Sequence, residues 1–457
     1  MAANPQPARF IPSTAILELG DGFYDPVAAA DFPVTRLRFR NDRAAAEIGL
    51  QELDDAAWVR HFGRFDPLPG SLPSPLALRY HGHQFRQYNP EIGDGRGFLF
   101  AQCRDARGRL MDLGTKGSGT TPWSRFGDGR LTLKGGVREI LATEMLQALG
   151  VETSRSFSLI ETGEALERGD EPSPTRSAVL VRLNQGHIRI GTFQRLAYLR
   201  DEAGLRRLTD YVLRHYYGDA GGNGGPVRLL RHVVARTARL AGQFMAAGFV
   251  HGVLNSDNIN VTGESFDYGP WRFVPDWDPG FTAAYFDHAG LYAFGRQPEA
   301  IHWDVMQLAT SLREIADAEP LIEALDGFGA AYQPAVTDAM LWRLGVKPRD
   351  AAHDQALIQA IERGLRAAGT PIDRFFFDSF GGAIPEALGA DYAEARSLLA
   401  DYRPRKSRDE RFWQGAPCAM LIDEVEAIWA RIAEADDWSA LTAKITAIRA
   451  FGAALAD

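Results

Sequence analysis

Cysteine is almost missing. Cys103 and Cys418 are the two in 457 residues, so at most one bridge is available, a disulfide-stapled fold is excluded, and the usage fits a reducing compartment. Also missing is any run near the ~18 uninterrupted apolar residues of a membrane-spanning helix, so no membrane partner is expected. The N-terminal stretch has prolines but no basic segment leading into an apolar one and no Arg-rich amphipathic leader; the expectation is a cytoplasmic protein. There is no surplus of basic charge: 50 Lys and Arg against 59 Asp and Glu give a net charge of −9. That disfavours nucleic acid as a partner held by a general basic surface, while leaving a local basic pocket open. What remains is ordinary globular usage, 45% hydrophobic and 24% charged, in a chain long enough for a large core.

The pattern changes twice along the chain. Residues 1–79 are broken by proline and glycine and read as an N-terminal extension packed on something else. Residues 80–192 hold short apolar runs bounded by glycine and read as a smaller β-rich lobe: a hairpin over 98–103 and 109–113, a helix over 136–149, and strands at 156–161 and 177–183. Residues 193–457 read as a larger, mainly helical lobe. Helices are expected over 193–217 and 226–249, then from about 301 onward, including 383–400 and 421–455. A turn-rich interval lies at 251–296, and the charged run Arg403–Arg411 reads as a solvated linker. The fold class expected is α+β.

The tetrapeptide Gly-Asp-Gly-Arg occurs at 93–96 and again at 127–130. One copy would be a turn, but two copies flanking Lys116 suggest a phosphate cradle. Glycines such as Gly93, Gly95 and Gly129 let backbone N–H groups approach phosphate oxygens, and Arg96, Lys116 and Arg130 add cationic donors. Lys116 falls at the end of an expected strand, and Glu139 in the first turn of the expected helix. A phosphate-binding lysine is commonly held by a helix carboxylate. Glu139 and Glu144 stand ~140° apart on a helix, so both cannot serve, and Glu139 is the better placed. Beyond a turn at 184–186, Arg182 and Arg189 could converge from adjoining strands on an anion with several oxygens, or simply be exposed strand arginines.

The segment from His251 to Gly269 is the most telling. Kinase catalytic loops read H-x-D-x-x-x-x-N, followed by an apolar strand and D-F-G, the Asn and the second Asp holding metal ions. His251 and Asn258 keep that offset, and Asp267-Tyr-Gly supplies the second metal ligand. Val253 stands where the catalytic Asp belongs, and a carboxylate reappears at Asp257. An apolar side chain accepts no proton, so the loop either binds nucleotide inertly or runs altered phosphorus chemistry. Asp276, Asp278, Asp287 and His288 read as turn formers rather than metal ligands. His81-Gly-His83 looks like a fragment of a metal site that lacks spaced partners.

Taken together, Tyr80-His-Gly-His-Gln-Phe85, the two Gly-Asp-Gly-Arg copies, Lys116 to Arg125, Arg138-Glu139, His251 to Asn258, Asp267-Tyr-Gly-Pro270 and Asp276 to Phe281 resemble the selenoprotein O family, also called YdiU-type proteins. The resemblance implies a protein-kinase-like two-lobed fold, with the N-terminal extension and additional C-terminal helices. It further implies transfer of AMP from ATP to Ser, Thr or Tyr hydroxyls of protein substrates, with pyrophosphate released and ATP bound in a flipped orientation. Carried across, Gly93, Gly95, Arg96, Lys116, Asp128, Gly129, Arg182, Arg189 and Asp267 contact ATP, with Glu139 as partner of Lys116. Asp257 is the proton acceptor, and Asn258 and Asp267 are the ligands of Mg²⁺, or Mn²⁺. Some relatives carry a selenocysteine or reactive cysteine near the C-terminus, which this sequence lacks. Two other readings remain: an inactive nucleotide-binding pseudokinase scaffold, suggested by Val253, and a phosphotransferase with its base moved to Asp257.

Overall fold

The computed structural model describes residues 9–169, 171–408 and 411–456. Its N-terminal half is organised by one antiparallel sheet. The strands run in the order Tyr24–Pro26, Leu76–Leu78, Leu99–Arg104, Leu110–Lys116, Thr175–Asn184, Arg155–Leu166 and Arg36–Arg40, with Ile11–Ser13 beside Leu99–Arg104 and Leu131–Thr132 beside Thr175–Asn184. The stretch before residue 80 therefore supplies strands to the same sheet as the glycine-punctuated segment. Two of its prolines lie in those short strands, Pro12 within Ile11–Ser13 and Pro26 at the end of Tyr24–Pro26, and do not separate them from the rest.

Both faces of the sheet are covered, which is why the central strands read as continuous apolar runs. Val179, Val181 and Leu183 pack with Trp58, Phe62, Phe100 and Phe157 on one side. Ala178 and Leu180 pack with Val137, Ile140 and Leu141 on the other. These last three belong to the helix Leu133–Ala148, which starts earlier than the hydrophobic spacing implies because the Thr132 hydroxyl accepts the N–H of Gly135 as an N-cap. Glu139 consequently lies in the second turn, not the first.

Helices dominate the C-terminal half. The expected helix over 193–217 is broken into Ile190–Tyr198 and Glu202–Val212. Arg200 there adopts a left-handed conformation, and the Asp201 carboxylate caps the second helix at Gly204. Gly225–Ala247 and Gln297–Leu312 follow the periodicity more closely and enclose the turn-rich interval between them. The region over 383–400 is helical only in short 3-10 turns and Ala393–Leu399. The expected helix over 421–455 is split into Ile422–Ala435 and Ser439–Leu455 by Asp436, left-handed and held by Arg38 and Arg176. Ser439–Leu455 packs on Leu133–Ala148, where Arg449 pairs with Glu144 at 2.6 Å. In the charged run, Arg408 donates to the Asp378 carbonyl; residues 409 and 410 lie outside the described residues, as do residues 1–8 of the N-terminal stretch. Among the described residues no helix is long and apolar enough to cross a membrane.

Candidate active site

Strand register brings the cations together. Lys116 ends its strand directly opposite Leu180, and side chains two residues apart share a face, so Arg182 emerges beside Lys116. That is the face covered by the helix carrying Glu139. Lys116 Nζ lies 2.6 Å from Glu139 Oε1 and 2.5 Å from Asp267 Oδ1, and Arg182 Nη1 lies 3.3 Å from the same Asp267 oxygen. Glu144 points away to Arg449.

Arg189 reaches the same place by a different route. No returning strand follows the turn at 184–186; Arg189 instead precedes the helix Ile190–Tyr198 in extended conformation. Its guanidinium is buried, donates to the Asp257 carbonyl at 3.0 Å, and lies 3.1 Å from Asp94 Oδ1. It stacks over Tyr80 at 4.3 Å and Phe266 at 4.8 Å.

Tyr80, Lys116, Arg182, Arg189 and Asp267 line a cavity of about 740 Å³, together with Gly93, Asp94, Gly95, Arg96, Asp128, Gly129, Asp257 and Asn258. Glu139 stands behind Lys116. The two arginine-ended turns differ. A Cβ at position 93 would sit 2.6 Å from the Trp123 ring, and one at 95 would sit 2.8 Å from the Trp123 carbonyl oxygen. Glycine there thus admits the 121–129 loop as well as leaving backbone exposed to the cavity. Gly129 has φ +69°, and a Cβ would strike the Gly119 carbonyl. At the mouth, Asp128 binds Arg168 and Arg130 is engaged by Glu164 at 2.8 Å, so Arg130 is a less available donor than its motif suggests.

Asp267 is a non-glycine residue at φ +64°, a conformation that costs energy and is kept only where the surroundings impose it. Burial would raise its pKa, but Lys116, then Arg182, Arg96 and Arg189, hold it well below the usual carboxylate range. Asp257 behaves oppositely. Burial pushes it up to about 6, with the Asp267 charge adding to the rise and Arg189 opposing it. Two carboxylates in one cavity are thereby pushed apart, one firmly ionised and one suited to proton exchange near neutrality.

The loop carrying Asp257 is fixed on all sides. His251 N–H donates to Gln297 Oε1 at 3.0 Å, the His251 ring lies 3.1 Å from the Phe266 carbonyl, and Asn258 Nδ2 donates to the Val253 carbonyl at 3.0 Å. Beneath it lies the hairpin Gly82–Gln84 and Gln87–Asn89. His83 N–H donates to Ser256 Oγ at 2.7 Å, Ser256 Oγ donates to Gln194 Oε1 at 2.5 Å, and Gln194 Nε2 meets His83 Nδ1 at 2.6 Å, closing a ring. His81 Nδ1 meets the Tyr88 hydroxyl at 2.7 Å. His83 is therefore a structural support of the loop, and the His81 ring is engaged within the hairpin beneath it. Sequence reasoning missed this, and it missed the pairing of Asp94 with Arg189; the signals were Asp94 inside its motif and Gly82 between the histidines, where a Cβ would meet Asp257 at 2.9 Å. Asp278 and Asp287 accept backbone N–H groups, at Gly280 and at Leu291 and Tyr292, as turn formers do.

Among the described residues no three His, Cys, Asp or Glu side chains gather into a metal cage. Mg²⁺ does not require one, since it binds through one or two carboxylates, waters and substrate phosphates. Asp267 and the side-chain oxygen of Asn258 are oxygen donors that fit such an ion, and the buried Asp257 Oδ1 in the same cavity has no hydrogen-bond partner.

Comparison with known proteins places the chain in a family. The family described as protein adenylyltransferase SelO matches residues 9–382. The protein nucleotidyltransferase YdiU of Gloeobacter violaceus is 47% identical over 450 residues, covering 93% of this chain and 92% of the relative. That of Synechocystis is 42% identical over 455 residues, covering 93% and 94%, and that of Azotobacter vinelandii is 36% identical over 412 residues, covering 90% and 82%. With a match across most of its length, the chain belongs to the SelO/YdiU family of protein nucleotidyltransferases.

Proposed function

We propose that this protein transfers AMP from ATP to Ser, Thr or Tyr hydroxyls of other proteins, on a kinase-like two-lobed scaffold whose nucleotide lies flipped. The observation that carries the reading is the cluster of Lys116, Arg182 and Arg189 around Asp267, with Arg96 beside them. Three buried or nearly buried cations suit the most highly charged part of the nucleotide, its β- and γ-phosphates. Gripped there, ATP presents its α-phosphorus toward the Asp257 side of the cavity.

The hydroxyl oxygen then attacks the α-phosphorus, the bond from that phosphorus to the bridging oxygen breaks, and pyrophosphate leaves with the electron pair. Lys116, Arg182 and Arg189 stabilise the charge that develops on the departing group. The hydroxyl proton passes to the Asp257 carboxylate, as a loose transition state with little demand for base strength allows. Asn258 and Asp267 would hold the divalent cation, which supplies charge neutralisation across the phosphates. Glu139 keeps Lys116 extended into the cavity.

Incubation with Mg²⁺ or Mn²⁺ and ATP labelled at either the α- or the γ-phosphate tests this. The expectation is protein labelling from the α position alone, abolished by Asp267→Ala. Label from the γ position would show a phosphotransferase, label from neither a binding scaffold, and full activity in Asp267→Ala would overturn the assigned ligand.

A further inference from the structure

A second cavity, of about 820 Å³, shares no residue with the first. It lies where the turn after the strand Leu99–Arg104, the start of the strand Arg155–Leu166 and the segment at Thr262 to Glu264 meet, and four arginines line it: Arg107, Arg109, Arg155 and Arg236. We propose that it binds a small phosphate-bearing molecule and that its occupancy is transmitted to Asp267.

The charge arrangement points to an anion. Four carboxylates also line the cavity, but two are already committed. Asp105 accepts the N–H groups of Arg107 and Arg109 at 2.9 Å each and the Arg109 side chain at 2.8 Å. Glu152 is held by Arg239 at 2.6 Å and Arg236 at 3.4 Å. Arg155 is left poorly matched. Its side chain is 11% exposed, its nearest carboxylate oxygens belong to Glu47 at 3.4 Å and Glu264 at 3.6 Å, and its Nε and Nη2 make no hydrogen bond. Burial pushes the Glu264 carboxyl up to about 7 against the pull of Arg155, so near neutrality it compensates that guanidinium only in part. The exposed Arg107 side chain makes no ion pair among the described residues. Arg155, with two guanidinium nitrogens unbonded, and the unpaired Arg107 stand on different elements of the lining and suit an oxyanion with three or more oxygens better than a carboxylate. The cavity is large enough for a drug-sized ligand, so the phosphate would be carried on a larger polar body.

The walls connect to the first cavity through short backbone bonds. Ser265 N–H donates to the Glu152 carbonyl at 2.9 Å, and Ser154 N–H donates to the Ser265 carbonyl at 2.8 Å. The Thr153 and Tyr268 hydroxyls meet at 2.5 Å, so residues on both sides of Asp267 are tied to the wall. Gln185, in the turn between Arg182 and Arg189, donates its N–H to Glu264 Oε2 at 2.6 Å. A ligand that draws Arg155 away from Glu264 therefore acts on the segments that position Asp267 and both arginines, a coupling between two distinct sites.

This inference goes beyond AMP transfer, and its binding readout does not depend on that activity. The test is calorimetric titration of inorganic phosphate, ribose 5-phosphate and acetate into the full chain, as wild type, Arg107→Ala, Arg155→Gln and Arg182→Ala. Saturable binding of both phosphates is expected, tighter for the sugar phosphate, weakened at least fivefold by Arg107→Ala and tenfold by Arg155→Gln, and retained in Arg182→Ala. No saturation up to ~10 mM, an affinity of only ~3 kcal/mol, overturns the site. So does loss in Arg182→Ala with retention in Arg107→Ala, which would move the ion to the first cavity. Acetate binding as tightly as phosphate overturns the ligand class. Saturating ribose 5-phosphate should change the dissociation constant of ATP at least threefold in wild type and not in Arg107→Ala; an unchanged constant in wild type overturns the transmission. Arg107 is exposed and its variant is expected to fold even where Arg155→Gln does not.

Discussion

Glu139→Gln separates the charge of the lysine's partner from its shape. Lys116 Nζ and Glu139 Oε1 stand 2.6 Å apart with both side chains almost fully buried. Unit charges at that distance attract by about 6 kcal/mol at an effective dielectric constant of ~20, before desolvation is subtracted. Breaking a buried pair from one side typically costs about 3–5 kcal/mol. Gln keeps an oxygen for the ammonium, and Asp267 still lies 2.5 Å from Lys116, so the loss should fall near the lower end, about 3 kcal/mol. Expressed wholly in the transition state, that is about a hundredfold in kcat/KM. The mechanism of loss matters: with Glu139 neutral, the ammonium already 2.5 Å from Asp267 is no longer shared between two carboxylates, and it competes more strongly for the one proposed to hold the cation. Labelling from α-labelled ATP should therefore fall with a rise in the divalent-ion concentration needed for half-activity. Glu144→Gln is the matched control, since Glu144 is equally buried in the same helix but pairs with Arg449 away from the cavity. It should lower thermal stability and leave labelling per folded molecule within about twofold. Less than a threefold loss in Glu139→Gln, or equal losses in the two variants, would refute the view that Glu139 acts through Lys116.

Three further outcomes can be measured. Gly82→Ala should drive a Cβ against Asp257, 2.9 Å from its Cβ and 3.0 Å from Oδ1, cutting labelling by about a hundredfold through misplacement of the proton acceptor; normal activity would show that the hairpin yields. Because Asp257 must be ionised to take a proton and is pushed up to about 6, the labelling rate should rise as pH passes upward through about 6 and then level off, and Asp257→Asn should abolish that rise along with most of the rate. Glu264 is raised to about 7, so the folded state binds more protons than the unfolded one between its ordinary value and 7. Stability should accordingly fall as pH increases across that window, by up to roughly 3 kcal/mol, and a Glu264→Gln variant followed by denaturant unfolding at each pH should show a flatter profile.

The fold was legible where local pattern and packing agree. Strands around 98–113 and 177–183 show in the sequence because both faces of the sheet are buried and the apolar runs are unbroken. The stretch before residue 80 was opaque because its strands are three to five residues long, too short for a period to declare itself, and their partners lie far along the chain: Arg36–Arg40 pairs with Arg155–Leu166. Helix boundaries failed where side chains override periodicity. Thr132 starts a helix before its apolar stripe begins, and Asp201 and Asp436 interrupt stripes that otherwise continue.

The candidate site shows the same division in sharper form. Lys116 and Glu139 were readable as a pair because a strand end and a helix turn have fixed geometry, and because angular position on the helix decides between Glu139 and Glu144. Arg182 and Arg189 could be grouped by chemistry but not by route. One lies on a strand facing the helix, the other at the start of a helix, and only the packing of the His251–Asp267 segment against both makes them neighbours. Asp94 and the His83, Gln194 and Ser256 ring were invisible for the same reason: each is a contact between residues 62 to 173 positions apart, and no spacing rule reaches that far. The displaced carboxylate follows from this support. Val253 bonds only through its backbone to His251 and Asn258, whereas Asp257 sits between Ser256, anchored by the hairpin, and Asn258, anchored by Val253. The backbone that carries Asp257 is thus fixed on both sides, which suits the proposed role of an acceptor meeting a hydroxyl near the inner phosphorus.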